Sequence, residues 1–373
     1  MRPAWLALLA VPPLLDTAFR SILACASRRS RRASPEEARW LVLVPAREEG
    51  RAVEPTLVSI LAAGTGHDVR TVLVLDGDDA AAAAVAARLG IGVRVKTPAG
   101  PSKAAVLAWC ARELESDLGS RDAVLVLDVG SLVSEDFFSG SWPRGADAAQ
   151  AFLRGGGDGP GRAIALSERR AQEREDLGRE ALGWAVRLRG TGTALTPAAF
   201  RSIMPQLRTK VEDLEASLLL AASGARVVMM PPRAWVGDEK PERVVVAAGQ
   251  RARWLAGRIQ VLGLRARALM RLAWERPLEG VAFGAELLGR PLSLTALARM
   301  IVAAVLAGTA VSGSGGMAEV ALAALLVATV AADAALVGAG DAVSSAWSLL
   351  VSWLAALALL PRAFLGWIRG RRS

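Results

Sequence analysis

Apolar and polar positions alternate in blocks from residue 40 onward, and the blocks predict strands separated by helices. Short apolar runs that end at polar turns are typical of buried strands, and longer runs are typical of helices. The predicted strands are 40–44, 71–75, 93–95 and 123–127, and the predicted helices between them are 53–63, 80–89 and 102–114. This alternation predicts an α/β fold with a mostly parallel sheet.

Two aspartates directly follow predicted strands. Asp76 comes after the second strand, and Asp128 comes after the strand at 123–127. Parallel sheets of this kind bind ligands at the carboxyl ends of their strands, so both side chains are candidates for a site. Aspartate also follows strands because it favours turns, and position alone leaves that alternative open.

The next part of the chain is predicted to be mostly helical. Gly155–Gly161 predicts a loop, and 164–187 predicts a charged helix. The segment 209–212, Thr-Lys-Val-Glu, has the spacing of a capping box at a helix start. Asp213 would then lie in the first turn of a helix that runs to Ala222, where the helix dipole is expected to lower its pKa.

Both ends of the chain are predicted to meet a membrane. Pro3–Ala26 is apolar apart from Asp16 and Arg20, and a basic run follows at 28–32. A signal peptide carries its charge before the apolar run, so this order predicts an anchor whose C-terminal end faces the cytoplasm. An interfacial helix is the alternative. The predicted C-terminal spans are 292–311, 317–337 and 343–360.

These patterns predict a multi-pass protein of the inner (cytoplasmic) membrane in four parts. The parts are an N-terminal anchor with a basic segment at 1–35, a cytoplasmic domain at 36–240, interfacial helices at 241–291 and a transmembrane region at 292–373. Three C-terminal spans would place the arginines of 369–372 outside, against the positive-inside tendency. Either one segment does not cross or the tendency fails here.

Composition favours contact with lipid and argues against several kinds of site. Apolar residues make up 53% of the chain, its mean hydropathy is +0.34 and its formal net charge is +9. This charge fits loops beside anionic lipid, and the absence of Tyr and of an aromatic–basic stripe argues against nucleic acid as a partner. The single histidine, His67, argues against a Ser-His-Asp triad, and Cys25 and Cys110 indicate no disulfide framework. Acid–base chemistry must therefore use carboxylates.

The segment 250–254, Gln-Arg-Ala-Arg-Trp, combines several groups that recognise sugars and phosphates. On a helix, Gln250 and Trp254 share one face and the two arginines flank them. Guanidiniums offer paired donors to phosphate oxygens, and an indole face suits the apolar face of a sugar ring. The segment predicts a site for a sugar and a diphosphate beside a bilayer, with an interfacial anchor role for Trp254 as the alternative.

Together, the motifs between about Trp40 and Gly257 resemble the membrane-bound family 2 glycosyltransferases related to cellulose and hyaluronan synthases. The matching segments are 44–49 (Val-Pro-Ala-Arg-Glu-Glu), Asp76, 103–105 (Lys-Ala-Ala), 127–128 (Leu-Asp), 190–195 (Gly-Thr-Gly-Thr-Ala-Leu), 211–213 (Val-Glu-Asp) and 250–254. Their order agrees with the family's three separated aspartates and a Gln-x-x-Arg-Trp element. The resemblance implies a Rossmann-like nucleotide-diphospho-sugar transferase domain of the GT-A type, flanked by N- and C-terminal transmembrane helices.

The resemblance also implies a donor site at the strand ends. Asp76, with Pro45 and Glu49 nearby, would bind the uridine end of a UDP-sugar. Asp128 would face the diphosphate and a Mg²⁺ or Mn²⁺ ion, and Lys103 would add positive charge near the donor.

The same resemblance implies transfer with inversion by a single displacement. Asp213 would be the base that deprotonates the acceptor hydroxyl. The residues implied to contact the diphosphate and the acceptor are Glu212, Gln250, Arg251, Arg253 and Trp254. The acceptor is expected to be lipid-linked or a growing glycan, because the Gln-x-x-Arg-Trp element directly precedes the predicted membrane region. Transfer of one or a few sugars is favoured over long-chain synthesis, since few spans are predicted.

Two departures from the family pattern leave an alternative open. The family usually has Asp-x-Asp at the diphosphate site, whereas this chain has Asp128-Val129-Gly130, so a metal would lose one expected ligand. The acidic loop 76–80 is also shorter than usual, which bears on uracil recognition. The alternative is a catalytically impaired relative that acts as a binding partner or scaffold. A soluble dinucleotide-binding protein is excluded, because no Gly-x-Gly-x-x-Gly follows the first strand.

Overall fold

The computed structural model describes residues 11–30, 33–156, 159–240, 243–287, 292–312 and 316–335. The strands are β1 Pro35–Glu36, β2 Trp40–Ala46, β3 Val69–Asp76, β4 Gly92–Lys96, β5 Ala123–Val126, β6 Leu132–Val133, β7 Trp142–Pro143, β8 Ala148–Gln150, β9 Phe152–Arg154, β10 Thr193–Leu195, β11 Val227–Met229 and β12 Trp235–Gly237.

The α-helices are α1 Val11–Ser27, α2 Val53–Ala63, α3 Ala80–Arg88, α4 Lys103–Glu113, α5 Glu115–Gly119, α6 Gly159–Arg170, α7 Leu177–Ala181, α8 Pro197–Ile203, α9 Glu212–Ser223, α10 Val244–Leu264, α11 Ala266–Glu275, α12 Pro277–Leu287, α13 Leu292–Val311 and α14 Met317–Ala335. A π-helical turn at Ala171–Asp176 joins α6 to α7, and 3₁₀ turns lie at Gly50–Ala52 and Met204–Gln206.

A seven-stranded sheet with the order β11-β8-β10-β5-β2-β3-β4 forms the centre of the fold. β2 pairs in parallel with β3 and β5, and β3 pairs in parallel with β4. β10 runs antiparallel between β5 and β8, and β8 pairs in parallel with β11. The sheet is therefore mostly parallel, which confirms the predicted α/β fold. Two smaller sheets pair β1 with β7 and join β6, β12 and β9.

Apolar side chains cover both faces of the central sheet. Leu41 and Leu43 belong to one buried cluster, whereas Val42 and Val44 belong to a second. Successive residues of a strand point to opposite faces, so this division follows directly from the strand geometry. It also explains why β2 is a continuous apolar run, because neither face of the strand meets water.

The structure confirms the predicted strands and the first helices with small changes at their ends. β2 continues to Ala46, β3 covers Val69–Asp76 and β5 ends at Val126. Helix α2 has the predicted bounds, and α3 and α4 each lie within a residue or so of theirs. Asp76 and Asp128 therefore come at or just after strand ends, as predicted.

The charged helix predicted at 164–187 is wrong in its bounds. Helix α6 already begins at Gly159, inside the predicted loop, and the π turn and α7 carry the helical path only to Ala181. Within the π turn, the buried Gln172 accepts a 2.7 Å hydrogen bond from the Leu153 N–H and donates one of 3.1 Å to the Leu153 carbonyl. The helix is thus fastened to β9. It stops before Gly183, whose φ of +71° is a conformation that favours glycine.

The predicted capping box at 209–212 is also wrong. Helix α9 begins at Glu212, but no side chain caps its N-terminus. Glu215 instead accepts hydrogen bonds of 2.8 Å from the backbone N–H groups of Arg208 and Thr209, and its other oxygen lies 2.6 Å from Arg265. A buried carboxylate one turn inside the helix therefore holds the preceding loop, and Asp213 still lies in the first turn.

Helix α1 is fastened to the rest of the protein by close packing and by ion pairs. A Cβ atom on Gly178 of α7 would lie 2.3 Å from the Leu23 carbonyl oxygen, so the two backbones meet directly. Arg20 lies 3.0 Å from Asp16 and 2.5 Å from Glu175. Asp16 also lies 3.5 Å from Arg299 of α13, a fully buried side chain. The charges that interrupt the apolar sequence of α1 thus pair with other helices.

The expected terminal membrane spans are not supported. None of the helices within the described ranges is long and apolar enough to cross a membrane. The segment predicted at 292–311 forms α13, and the described part of the segment predicted at 317–337 forms α14, which extends to Ala335. Charged residues interrupt α1 and α13. The predicted span at 343–360 and the first residues of the predicted anchor lie outside the described residues.

We expect Gly178→Ala to lower the free energy of unfolding by about 1–3 kcal/mol, because the added methyl forces the backbones of α1 and α7 apart. Urea unfolding followed by circular dichroism measures the change. Gly263→Ala is the matched control, since Gly263 lies in α10 with nothing within 4 Å of its Cβ position. That control should stabilise slightly, by about 0.5–1 kcal/mol. Equal stability of Gly178→Ala and wild type would contradict the direct backbone contact.

Candidate active site

Four charged side chains meet near the carboxyl end of β5. Asp128 follows this strand, Lys103 is the first residue of α4, and Glu212 and Asp213 open α9. The three segments are far apart in sequence, so the fold brings these side chains together. Each of the four was predicted as a site residue.

The ammonium group of Lys103 lies at the centre of this cluster. It forms an ion pair with Asp128, lies 3.5 Å from a Glu212 oxygen and donates a 2.9 Å hydrogen bond to the Gly190 carbonyl. Burial works against the charged amine, but the carboxylates of Asp128 and Glu212 outweigh it and hold the pKa of Lys103 above its ordinary value. Lys103 is therefore a fixed positive charge among carboxylates.

The turn after β5 is held by hydroxyl groups. The Asp128 N–H donates a 3.1 Å hydrogen bond to the Thr191 hydroxyl oxygen, which also lies 2.8 Å from the Ser131 hydroxyl. The Gly130 N–H donates a 2.9 Å hydrogen bond to the Thr56 hydroxyl oxygen. The orientation of Asp128 thus depends on the hydroxyl groups of Thr191, Ser131 and Thr56. None of these three residues is among the predicted site residues.

Gln150 organises the glycine-containing loop that faces Lys103. Its side-chain amide donates hydrogen bonds of 3.0 and 3.3 Å to the carbonyls of Thr191 and Gly192. Its oxygen accepts hydrogen bonds from the Arg189 N–H and the Thr193 hydroxyl, at 2.8 and 3.0 Å. A fully buried amide with both ends bonded fixes a loop strongly. The only sequence signal for it is one glutamine in an otherwise apolar strand segment.

Asp213 lies among groups that favour its neutral form. Burial and the nearby Glu212 charge raise its pKa to about 7, although the Leu214 N–H and Lys103 favour the carboxylate. A small cavity lined by apolar side chains lies against it. The predicted lowering of this pKa by the helix dipole is therefore wrong, because desolvation and the like charge outweigh the dipole. A carboxyl group with a pKa near neutrality is suited to general-base work.

Asp76 lies at the other side of the strand ends, in a separate group. It is 7% exposed, and it accepts a 2.6 Å hydrogen bond from the Gly100 N–H. Arg47 and Lys96 each lie 3.7 Å from its carboxylate, and Arg47 donates a 2.9 Å hydrogen bond to the Gly100 carbonyl. The loop that carries Gly100 leads directly into Lys103. The two groups are thus joined by one short segment.

The remaining predicted donor residues belong to β2, which pairs with the strand that carries Asp76, and to the loop after β2. Pro45 lies within β2, and Glu49 is exposed in the loop that follows the strand. Asp79, which had no predicted role, holds that loop: it accepts hydrogen bonds from the Gly50 and Ala82 N–H groups, at 2.8 and 3.0 Å. These bonds keep its pKa below the ordinary value.

Helix α10 carries the predicted Gln-x-x-Arg-Trp element. Gln250 is half-buried and Arg253 is exposed. Trp254 is 40% exposed. Arg251 instead faces the protein, where burial lowers its pKa to about 10. Of the two arginines that flank the Gln250–Trp254 face, Arg251 is therefore buried and Arg253 is exposed to solvent.

The position of α10 is fixed against the start of α9. A Cβ atom on Gly257 would lie 2.6 Å from Val211, which precedes Glu212 in the chain. The Lys210 N–H also donates a 3.3 Å hydrogen bond to Gln260. Arg258, which directly follows Gly257 on α10, interacts electrostatically with Asp213. The element thus lies on a helix that is packed against the catalytic candidate.

A protein-family model described as glycosyltransferase-like family 2 matches residues 38–257, which is more than half of the 373 residues. The chain belongs to this family. It is therefore a glycosyltransferase, which confirms the predicted membership of family 2. No curated protein matches the sequence.

A solved mannosyltransferase structure shows the same fold, and two other solved structures are similar to parts of the chain. The mannosyltransferase PcManGT from Pyrobaculum calidifontis, solved with GDP-Man and Mn²⁺, is 17% identical, with a TM-score of 0.58 over 95% of this chain and 98% of that one. This likeness confirms the predicted GT-A fold. TarS 1-349 from S. aureus is 11% identical, with a TM-score of 0.38 over 63% of this chain and 69% of that one. Glucosyl-3-phosphoglycerate synthase from Mycobacterium tuberculosis, solved with Mn²⁺, UDP and glucosyl-3-phosphoglycerate, is 16% identical, with a TM-score of 0.34 over 59% and 75%.

The residues around Asp128 do not fit a divalent cation held by a pair of carboxylates. Position 130 of this glycosyltransferase is glycine, with a φ of +89°, a conformation that other residues rarely adopt. The Asp128 carboxylate is already paired with Lys103. Across the described part of the chain, no group of three His, Cys, Asp or Glu side chains could hold a metal ion. The site expected for Mg²⁺ or Mn²⁺ at Asp128 thus lacks the carboxylate that the family pattern places at position 130.

We expect activity to fall as the pH drops through about 7, because Asp213 must be deprotonated to act as a base and its pKa is raised to about 7. In Glu212→Gln, a like charge is lost, so the acid limb of kcat/KM should move to lower pH by roughly one unit. A pH profile of nucleotide release measures both. Glu113→Gln, at the opposite end of α4 from Lys103, is the control and should keep the limb near 7. A limb that stays in place in Glu212→Gln would contradict this pairing.

Proposed function

We propose that this glycosyltransferase is an inverting enzyme that moves a sugar from a nucleotide-sugar, with UDP as the expected nucleotide, to a lipid-linked or growing glycan. The observation that carries the proposal is the placement of Asp213, with its pKa raised to about 7, beside the fixed positive charge of Lys103. A base and a cation at one strand edge match the two needs of the reaction, which are removal of the acceptor proton and stabilisation of the leaving diphosphate.

The chemical step follows from this arrangement. Asp213 takes the proton of the acceptor hydroxyl, and the acceptor oxygen attacks the anomeric carbon from the side opposite the diphosphate. The bond between this carbon and the phosphate oxygen breaks, and its electron pair leaves with the nucleoside diphosphate. The product is a glycoside of inverted configuration, and Asp213 is reset by release of the proton to water.

The donor is proposed to lie between the two groups of charged residues. The nucleoside would bind at Asp76, Pro45 and Glu49, and the diphosphate would extend towards Asp128 and Lys103. The segment from Gly100 to Lys103 spans this distance, and Arg47 adds a positive charge beside it. Gln250, Arg253 and Trp254 would close over the donor and acceptor from α10, which requires a movement of these side chains.

The proposal places the protein at the cytoplasmic face of the inner membrane, and relates it to the membrane-bound synthases through the Gln-x-x-Arg-Trp element. Exposed apolar side chains on α11 and α12 support lipid contact: Met270, Trp274, Leu278 and Val281 are 62%, 88%, 75% and 68% exposed. Arg267 and Arg271 are exposed on the same helix α11. An apolar surface beside arginines is suited to an anionic lipid interface. Both α11 and α12 follow α10, which carries the segment 250–254, and this order supports an acceptor that is presented at the membrane.

The function is tested by nucleotide release from a panel of UDP-sugars and GDP-sugars, using native membranes that contain the full chain. Wild type should release nucleotide from one donor. Asp213→Asn should slow release by about 10²- to 10⁴-fold and leave donor binding intact, because the amide cannot take the proton. Asp68→Asn, at the amino end of β3 and so remote from the site, is the matched control and should keep wild-type turnover.

Unchanged turnover in Asp213→Asn would remove Asp213 as the base. No release by wild type from any donor, in native lipid, would favour the alternative of a catalytically impaired partner or scaffold.

A further inference from the structure

The glycine at position 130 is part of the local fold and not simply a missing side chain. Its φ of +89° lies in the region that favours glycine, and its N–H donates a hydrogen bond to Thr56. The space around its Cβ position is open, with nothing within 4 Å. The turn is therefore shaped without a second carboxylate, although there is room for one.

The positive charge that this site does hold is Lys103. Two of its three ammonium protons are directed at Asp128 and at the Gly190 carbonyl. The Glu212 oxygen is 3.5 Å away, which is longer than a normal N–H···O hydrogen bond. The third proton is thus the one most easily redirected to form a hydrogen bond with a phosphate oxygen. The carbonyl of Gly190 is in turn fixed by the loop that Gln150 holds.

We propose that the Lys103 ammonium takes the place of a divalent cation in this enzyme, so that it binds its nucleoside diphosphate and transfers sugar without metal. The inference rests on the proposed function. In the transfer step, Lys103 donates a hydrogen bond to the phosphate oxygen that receives the electron pair of the breaking bond, and it remains protonated throughout. Arg258, which interacts with Asp213 from α10, adds a second cation near the cluster.

The direct test is binding of UDP and of GDP to the purified full chain by calorimetry, in EDTA and in MnCl₂. Wild type should bind one of them with affinities that agree within about twofold in the two buffers, since no ion takes part. Lys103→Met should weaken binding by about 10- to 100-fold in both buffers, because a charge-assisted hydrogen bond is lost. Lys103→Arg should recover most of the affinity. Lys210→Met, an exposed lysine before α9, is the control and should bind as wild type.

Three outcomes are distinguishable. Wild-type binding that appears only with MnCl₂ would overturn the inference and leave the proposed function standing. Wild-type affinity of a folded Lys103→Met in EDTA, with folding checked by circular dichroism, would also overturn it. Binding of neither nucleotide in either buffer would instead overturn the proposed function.

A gain-of-metal variant supplies an independent check. Gly130→Asp adds the missing carboxylate, and Gly130→Asn adds the same volume and backbone strain without the charge. We expect MnCl₂ to tighten nucleotide binding at least about tenfold in Gly130→Asp and not in Gly130→Asn. No response to MnCl₂ in Gly130→Asp would show that position 130 is not the place of the lost ligand and would contradict the inference.

Discussion

The pairing of one buried ammonium group with several carboxylates is the interaction on which the site depends. Lys103 lies within ion-pair distance of both Asp128 and Glu212, and a cluster of carboxylates without a cation would repel itself. Lys103 has a weaker influence on Asp213 than burial and Glu212 have. Burial and the charge of Glu212 therefore raise the pKa of Asp213 to about 7. Lys103 thus pairs with Asp128 and Glu212, whereas the neighbouring Asp213 has a raised pKa.

The fold supports this pairing through a second set of buried charges. Arg189 precedes the loop that faces Lys103, and it pairs with the fully buried Asp176. Arg187 lies 2.8 Å from Asp176, 3.0 Å from Glu175 and 2.9 Å from Glu286 of α12. Glu175 also pairs with Arg20 of α1. Helices α1 and α12 are therefore linked by ion pairs to the segment that leads to Gly190. Buried pairs of this kind are costly to break, because a single remaining charge has no partner.

The sequence predicted β2, β3, β4 and β5 of the central sheet because the signals for these strands are local, whereas β8, β10 and β11 were not predicted. Buried strands such as β2 need continuous apolar runs, and the aspartates at their ends follow from the same pattern. The motif residues Lys103, Asp128, Glu212 and Asp213 could be recognised together only through the family resemblance, but the structure does bring them to one place. The order of the strands, with β10 antiparallel in the centre, has no local signal.

Other features depend on long-range contacts and could not be predicted. The pKa of Asp213 is set by burial and by Glu212, so an argument from the helix dipole alone gave the wrong direction. The start of α9 is held by Glu215 from inside the helix and not by Thr209, because the partners are chosen by tertiary packing. The inward orientation of Arg251 depends on how α10 packs, which the order Gln-Arg-Ala-Arg-Trp does not determine. The charges in α1 were read as interruptions of an anchor, yet they pair with other helices.

A crystal structure of the protein with its nucleoside diphosphate, from crystals grown with MnCl₂, would distinguish Lys103 from a metal ion as the partner of the diphosphate. We expect a phosphate oxygen within hydrogen-bond distance of the Lys103 ammonium, and no manganese scattering between the diphosphate and Asp128. A manganese ion that bridges Asp128 and the diphosphate, with Lys103 turned away from the phosphates, would contradict it.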